Sequence, residues 1–339
     1  MRLCIGTSKG IVILDPDRAG LPLMALADPP SVWCMAQDSH DPGLLYAGSV
    51  NNTQAGSARG RGSLARSEDG GRSWRDITPG ATRDEEIWSV ATPPDSLGEV
   101  FIGTSHARIL RSIDRGHTFL ECAAFLKIPG RERWGFPPPP HIPHVRAIAF
   151  DRSNPLVIYV GVEEGGVYRS PDRGRSFEPL NRGVYSDIHC VATDPANSKR
   201  LFVTTGRGFY SSDDAGASWN YLKGLSRSYT VPLLVIDGEI IIAGATGPPP
   251  LWPMRPNGAD ALLFQSADHG RSFAPLMWAD GFAHPMRGMT MRLLVNPANR
   301  DEFFGVLTDG SVIRADRRTG IIGIIAERLP PAYDVVVIT

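Results

Sequence analysis

One eight-residue pattern, S-x-D-x-G-x-[ST]-[WF], occurs five times without a mismatch and constrains the fold more than any other feature of the chain. The copies span residues 67–74, 112–119, 170–177, 212–219 and 266–273. Their aspartates are separated by 45, 58, 42 and 54 residues, which is the spacing expected for successive blades of a β-propeller. The repeat therefore predicts a series of similar small β-sheets arranged around a ring.

Each copy also has the composition of a tight turn. An aspartate side chain accepts hydrogen bonds from the backbone N–H groups of a turn, and glycine adopts the positive φ that the turn requires. The terminal Trp or Phe supplies an apolar ring that packs between neighbouring sheets. We therefore expect each motif to be a hairpin turn that holds backbone, rather than a catalytic loop.

The five motifs resemble the Asp-box, or bacterial neuraminidase repeat, of sialidases, sortilin-type receptors and photosystem II assembly factors. In that family the box joins the third and fourth strands of a propeller blade, on the face away from the ligand site. The resemblance implies the fold but not the function, because the family includes enzymes, receptors and assembly factors. We do not expect a sialidase: no Arg-Ile-Pro motif precedes the first box, and Lys127-Ile128-Pro129 follows the second.

The strand-like segments around the boxes predict seven blades. Six units each have a first strand, such as VWCMAQ at 32–37, and a second strand, such as LLYAG at 44–48. The N-terminus supplies three further strands without a first one, and DVVVIT at 334–339 is a first strand without successors. Pairing the two ends completes a blade and protects its edge. We predict an all-β, seven-bladed propeller of four-stranded antiparallel blades, forming one domain over residues 1–339.

Composition limits the classes of partner. The 35 Lys+Arg against 36 Asp+Glu argue against non-specific binding to nucleic acid or to a membrane surface. The first residues show no charged segment followed by an apolar stretch, so we expect no signal peptide and a cytoplasmic location. The four cysteines have no CxxC spacing, which favours free thiols in a reducing compartment.

Topology places every long insertion on one rim of the ring. In a four-stranded blade, the loops between strands two and three share a face with the blade-to-blade connections, and the boxes lie on the opposite face. The insertions span residues 49–63, 122–144, 244–261 and 277–290. Variable loops on one rim of a rigid scaffold are a common binding site, so we expect the function at this loop-rich rim.

Polar residues are expected around the mouth of the central channel on that rim. The residue before each inner strand is polar in all seven units: Ser31, Glu86, His144, Asp187, Thr230, Thr290 and Asp334. Residues after the second strands, including His106, Glu164 and Arg207, should join them. Arg146 and His189 occupy a column that holds Trp33 and Trp88 in other blades, and a charged group there is costly to bury unpaired.

Several interpretations of this cluster stay open. Arg146 and Arg207 could bind an anionic ligand, with His144, Glu163, His106 and Trp252 as further ligand contacts. A catalytic site could use His189, Asp187, Glu164 and Tyr229 for acid–base chemistry. A divalent metal could be held by His141, His144, His189 and Glu164, although no short fixed spacing supports it. A hydrogen-bonded network that fills the channel mouth is the structural alternative.

Three functional hypotheses follow. The first is a cytoplasmic propeller that binds a small anionic or sugar-like ligand at the rim. The second is a hydrolase or lyase that uses the same rim, and the third is a protein-interaction scaffold or assembly factor.

Overall fold

The computed structural model describes residues 1–18, 22–50, 62–137 and 139–338. Its strands form seven sheets, which we number as blades 1 to 7 beginning with the blade that contains the N-terminus. The inner strands of blades 1 to 7 are Ala332–Ile338, Val32–Gln37, Ile87–Ala91, Val145–Phe150, Ile188–Asp194, Tyr229–Ile236 and Thr290–Val295. The second strands are Arg2–Thr7, Leu45–Ser49, Val100–Thr104, Ile158–Val162, Asn197–Thr205, Glu239–Ala245 and Glu302–Leu307.

The outer half of each blade is shorter. The third strands are Gly10–Leu14, Leu64–Ser67, Ile109–Ser112, Gly166–Ser170, Gly208–Ser212, Leu262–Ser266 and Val312–Asp316. The fourth strands are Met24–Leu26, Arg75–Asp76, Leu120–Glu121, Glu178–Pro179, Asn220–Leu222, Ala274–Pro275 and Ile321–Ala326. Blade 7 has a fifth strand that was not predicted, because Met277–Trp278 crosses from blade 6 and pairs in parallel with Ile321–Ala326. The described ranges also contain 3₁₀ helices at Gly80–Thr82, Phe125–Lys127, Arg131–Arg133 and Pro249–Met254.

The predicted closure of the ring is confirmed. The C-terminal strand Ala332–Ile338 pairs antiparallel with Arg2–Thr7, so blade 1 takes its inner strand from one end of the chain and its other three from the other end. This strand starts two residues earlier than predicted, at Ala332 rather than at Asp334. None of the helices in the described ranges is long and apolar enough to cross a membrane.

The core lies between the blades. Second strands such as Leu45–Ser49 and Val100–Thr104 are buried at every position, because each is covered on both faces by neighbouring blades. The cluster that joins blades 7 and 1 packs Phe304 and Val306 against Leu3 and Ile5. Burial of these apolar faces fixes the order of the blades around the ring and holds the channel open at the centre.

The five repeated motifs form the turns that were predicted. In the first copy, the Ser73 N–H donates to Asp69 Oδ1 at 2.9 Å, and the Ser73 hydroxyl donates to Oδ2 at 2.6 Å. The Gly71 N–H donates to Ser67 Oγ, and Gly71 has a φ of 85°. The other four copies make the same three bonds. Each aspartate therefore organises its own backbone.

Strand register separates these turns from the insertions. Ser67, where the first motif begins, pairs with Leu45 at the start of the second strand, whereas Val32 pairs with Ser49 at its end. The motif is therefore at the opposite edge of the blade from the insertion that follows Ser49. Most of that insertion, residues 51–61, lies outside the described residues.

Candidate ligand site at the channel mouth

Every inner strand carries a β-bulge near its first residues, at the channel mouth. The register skips one residue between Val32 and Cys34 in blade 2, and the same skip recurs around the ring, with two residues skipped in blade 6. The bulged residues are Tyr333, Trp33, Trp88, Arg146, His189, Val231–Pro232 and Met291, in blades 1 to 7. A bulge re-aims a side chain and is frequent next to functional sites. Here the bulges turn these side chains towards a cavity of about 140 Å³.

The bulges correct the predicted polar ring. In blades 6, 7 and 1 the strands begin earlier than the sequence alignment placed them, at Tyr229, Thr290 and Ala332. Thr230, Thr290 and Asp334 are therefore strand residues, and all three are buried. The predicted starts of these three strands, after Thr230, after Thr290 and at Asp334, are wrong because alternation of side chains cannot be read through a bulge.

Aromatic rings line one side of the mouth. The Trp33 ring lies 4.6 Å from that of Tyr333 and 5.2 Å from that of Trp88, measured between centroids. Trp88 stacks on the His144 imidazole at 3.7 Å. The Arg146 guanidinium lies 5.0 Å from the centre of the Trp33 ring and 5.8 Å from that of Trp88. The two tryptophans and Tyr333 are half-buried, so a wall of partly accessible ring surface faces the channel.

Charged side chains from blade 4 form the next sector. His144 Nε2 lies 2.8 Å from Glu163 Oε2, and Arg146 Nε lies 3.4 Å from the same oxygen. The contact with His144 arises because Val145 pairs with Val162, which brings the residues flanking that pair together. Burial raises the pKa of Glu163, but the His144, His189 and Arg146 side chains outweigh it and lower the pKa to about 2. Glu163 is therefore ionised at neutral pH, and Arg146 is paired with it.

His189 of blade 5 is held from two sides. Its Nδ1 lies 2.6 Å from the carbonyl oxygen of Thr230, and its Nε2 lies 3.3 Å from Asp187 Oδ1. The Tyr229 ring is 4.7 Å away. Burial lowers the pKa of His189, but the carboxylates of Asp187 and Glu163 outweigh it and raise the pKa above its usual value. Burial also raises the pKa of Tyr229 well above its usual value, so the phenol is neutral at physiological pH.

A second ion pair stands in the channel between blades 7 and 1. Arg292 Nε lies 3.2 Å from Asp334 Oδ1, and Asp334 Oδ2 accepts the Met35 N–H at 2.8 Å. Asp334 is buried, but the Arg292 side chain is 48% exposed, because it stands in the channel where water reaches it. This pair was not predicted; the Asp in the C-terminal strand was the one available signal.

The remaining predicted site residues lie around this centre. Burial and the neighbouring Asp187 raise the pKa of Glu164, whose Oε2 accepts a hydrogen bond from the Ser186 hydroxyl at 3.1 Å. Arg207 is exposed, and its guanidinium lies 4.7 Å from the centre of the Tyr185 ring. Arg146 and Arg207 thus each have a partner of their own.

Three further predicted residues lie on the insertions and loops. His106 is exposed and 4.0 Å from Glu85 Oε1. His141 is exposed, with Nδ1 2.8 Å from the Phe136 carbonyl oxygen. Trp252 donates from Nε1 to the Gly247 carbonyl at 2.9 Å, and its ring lies 6.0 Å from that of Tyr229.

Metal-ligand side chains are grouped differently from the prediction. Among the described residues, one group of three places its potential ligand atoms within 4.8 Å of one another: Glu163, Asp187 and His189. Of the four predicted candidates, this group contains His189. Glu163 and Asp187 were predicted as ligand-binding and catalytic residues, respectively.

Comparison with known sequences finds one curated relative. No family model matches the chain. A xyloglucanase of Hypocrea jecorina (strain QM6a) is 26% identical over 260 residues, which are 75% of this chain and 27% of that protein. The chain thus spans about a quarter of the length of this curated relative.

Solved structures with the same fold include two GH74 enzymes. The enzyme from Niastella koreensis superposes with a TM-score of 0.68 at 16% identity, over 95% of this chain and 51% of that chain. An ancestral GH74 enzyme gives 0.63 at 15% identity, over 91% and 37%. YCF48 bound to D1 peptide gives 0.57 at 15% identity, over 87% and 82%. At these identities the likeness shows the fold, and the chain is a seven-bladed propeller with GH74 xyloglucanase-like neighbours.

Proposed function

We propose that the channel mouth binds a carbohydrate, with the rings of Tyr333, Trp33 and Trp88 contacting sugar faces. The aromatic wall is the observation that carries the proposal. Sugar rings pack their C–H faces on aromatic side chains, while hydroxyl groups bond to charged groups beside them. Arg292 supplies such a group in the same cavity, and Asp187 lies beside His189, which also lines it.

The geometry favours a sugar over a small anion. An anion clamp needs arginines that are free to bind it, and Arg146 is already paired with Glu163 and stacked on two tryptophans. Pockets that enclose a drug-sized ligand measure roughly 300–1,000 Å³. Since the cavity here is about 140 Å³, we expect an oligosaccharide to lie across the mouth with one part entering it.

The test is calorimetric titration with a panel of oligosaccharides. The curated relative is named a xyloglucanase, so xyloglucan oligosaccharides are the first probe. We expect Trp88→Ala to weaken binding about five-fold, because an aromatic contact of this kind contributes on the order of 1 kcal/mol.

The matched control is Tyr221→Ala. Tyr221 is a 49% exposed aromatic residue on the outermost strand of blade 5, far from the channel. Equal loss of affinity in both variants, or no affinity of the intact protein for any sugar, would contradict the proposal. The second result would favour the protein-scaffold hypothesis.

A second candidate function is glycoside hydrolysis at the same mouth. Glycosidases pair a protonated carboxyl, the general acid, with an ionised one. The adjacent Glu163 and Glu164 have pKa values shifted in opposite directions, since Glu163 is lowered to about 2 and Glu164 is raised by burial and by Asp187. Glu164 is the candidate acid, and Glu163 is the candidate ionised partner.

Loss of a general acid lowers turnover by about 10²–10⁴-fold. We expect this loss in Glu164→Gln, with oligosaccharide affinity retained, and unchanged turnover in the control Glu178→Gln, on the outer strand of blade 4. Equal turnover in the two variants would reject Glu164 as the acid. A cytoplasmic location, and the lack of a nucleic-acid or membrane partner, stay predictions.

A further inference from the structure

The environment of His189 leaves one ring nitrogen without a hydrogen-bond partner. Nδ1 lies 2.6 Å from the Thr230 carbonyl oxygen, which can only accept, so Nδ1 carries a hydrogen. In the neutral ring the Nε2 lone pair then faces Asp187 Oδ1 at 3.3 Å. Neither Nε2 nor Oδ1 has a hydrogen-bond partner among the residues that the structure describes, and the His189 side chain is 1% exposed.

Two lone pairs that face each other in a buried site require a positive group between them. A proton on Nε2 would draw the two atoms to an N–H···O distance of about 2.7–3.2 Å with a near-linear angle. Two ligands bound tetrahedrally at about 2.1 Å from a metal ion are about 3.4 Å apart. The observed 3.3 Å lies between these two distances, and the contact lacks hydrogen-bond geometry, which favours the second arrangement.

The third ligand comes from blade 4. Glu163 places a carboxylate oxygen within 4.8 Å of the ligand atoms of Asp187 and His189. Its contacts with His144 and Arg146 both use Oε2, and Oε1 is the second oxygen that the carboxylate offers. Thr230 completes the arrangement, because a histidine that binds a metal usually donates its other N–H to a carbonyl or carboxylate.

We propose that Glu163, Asp187 and His189 form a site for a divalent metal ion of the zinc class at the channel mouth. One imidazole nitrogen and two carboxylate oxygens are a donor set that suits zinc. Three protein ligands leave a fourth position for water or for an oxygen of a bound molecule. This proposal does not depend on carbohydrate binding, since the metal alone is the probe.

The experiment is titration of the chelator-treated full chain with zinc chloride, followed by calorimetry. Cobalt(II) provides a second readout through its visible absorption, which reports direct ligation. We expect one ion per chain in the intact protein and a loss of affinity of about 100-fold or more in Asp187→Asn. The Asp187 side chain is 14% exposed, and thermal unfolding verifies that the variant folds.

Two control variants each remove a potential metal-ligand side chain from the surface. His284 Nε2 lies 2.6 Å from Asp280 Oδ2, and both side chains are more than half exposed. Asp280→Asn and His141→Gln should bind zinc as the intact protein does. Where Asp187→Asn is unstable, Glu163→Gln takes its place with the same expected loss.

Three results would each overturn the proposal. The folded protein could fail to bind zinc, Asp187→Asn could bind zinc as tightly as the intact protein, or the affinity could fall mainly in Asp280→Asn. Zinc binding at this group without oligosaccharide binding would support the metal site and contradict the proposed carbohydrate function.

Discussion

Asp114 illustrates how a single residue stabilises its turn. Its Oδ1 accepts the Thr118 N–H at 2.9 Å, and its Oδ2 accepts the Thr118 hydroxyl at 2.6 Å. These hydrogen bonds lower the pKa of Asp114 from 3.8 to about 2. The carboxylate therefore stabilises the fold fully above about pH 4, and this contribution is lost as the pH falls towards 2.

We expect Asp114→Ala to lower the free energy of unfolding by on the order of 1 kcal/mol at pH 7, because several exposed hydrogen bonds are lost. The difference in thermal midpoint from the intact protein should shrink between pH 4 and pH 2. Ile113→Ala is the control, because Ile113 is in the same turn but 69% exposed and should change little. A difference that is constant with pH would contradict the role of the ionised carboxylate.

At the residue scale, local chemistry was predictable and long-range partners were not. The turn chemistry of the five motifs involves residues within four positions of one another, so the sequence contains all of it. The sequence grouped Asp187 and His189 as candidate acid–base residues, but the bulge at His189 sets how their side chains meet. The pairing of Arg146 with Glu163 and its stacking on Trp33 and Trp88 depend on three blades, which no local pattern reports.

Among the elements, the strand that closes the ring carries one buried acid that contacts the blades on both sides. Asp334 accepts the Met35 N–H of blade 2 and pairs with Arg292 of blade 7, so it links three blades. Burial raises the pKa of Asp334, although Arg292 opposes this effect. The Asp334 side chain therefore stabilises the fold mainly as a hydrogen-bond acceptor, whereas burial of its charge is unfavourable.

We expect Asp334→Ala to lower the free energy of unfolding by about 1–3 kcal/mol, because the buried Met35 N–H loses its partner. Asp334→Asn keeps an acceptor oxygen and loses the buried charge, so it should be clearly less destabilised at pH 7. Denaturant unfolding measures both. Equal destabilisation of the two variants would show that the charge, rather than the acceptor, matters.

The bounds of the elements show where alternation fails as a guide. The C-terminal strand was placed at 334–339 because the run of apolar residues begins after Asp334. The structure extends it to Ala332 through a bulge at Tyr333, which points into the channel. A bulge inserts one residue into a strand and leaves no mark in the apolar pattern of the sequence. Alignment of the strands by that pattern therefore missed Tyr333 as part of the candidate site.

For the whole molecule, we expect closure of the ring to be the main source of cooperative unfolding. Val335, Val336 and Ile338 of the C-terminal strand are buried in two clusters, one towards blade 7 and one towards blade 2. Deletion of residues 332–339 exposes both clusters and the edge of Arg2–Thr7. Because a typical domain is stable by only roughly 5–15 kcal/mol, we expect no cooperative thermal transition in the truncated chain.

A truncated chain that unfolds cooperatively near the midpoint of the intact protein would contradict this view of closure. Deletion of Met1 alone, which is exposed and precedes the first strand, is the matched control and should leave the transition unchanged.

The number of blades was predictable because five of them contain the repeated motif, and because the strands at the two ends of the chain together complete one blade. The separation of the insertions from the turns was also predicted, since it follows from strand order alone. The composition of the channel mouth was predicted only in part, because eight bulged residues from distant parts of the chain meet there.

The most direct measurement of the central claim is a crystal structure of the intact protein with a bound oligosaccharide from the calorimetric panel. We predict density for a sugar ring at the channel mouth, against Tyr333, Trp33 or Trp88, with hydroxyl groups directed towards Asp187 or Arg292. Density on the face of the Asp69 and Asp114 turns or on the outer strands, with an empty channel mouth, would contradict the claim.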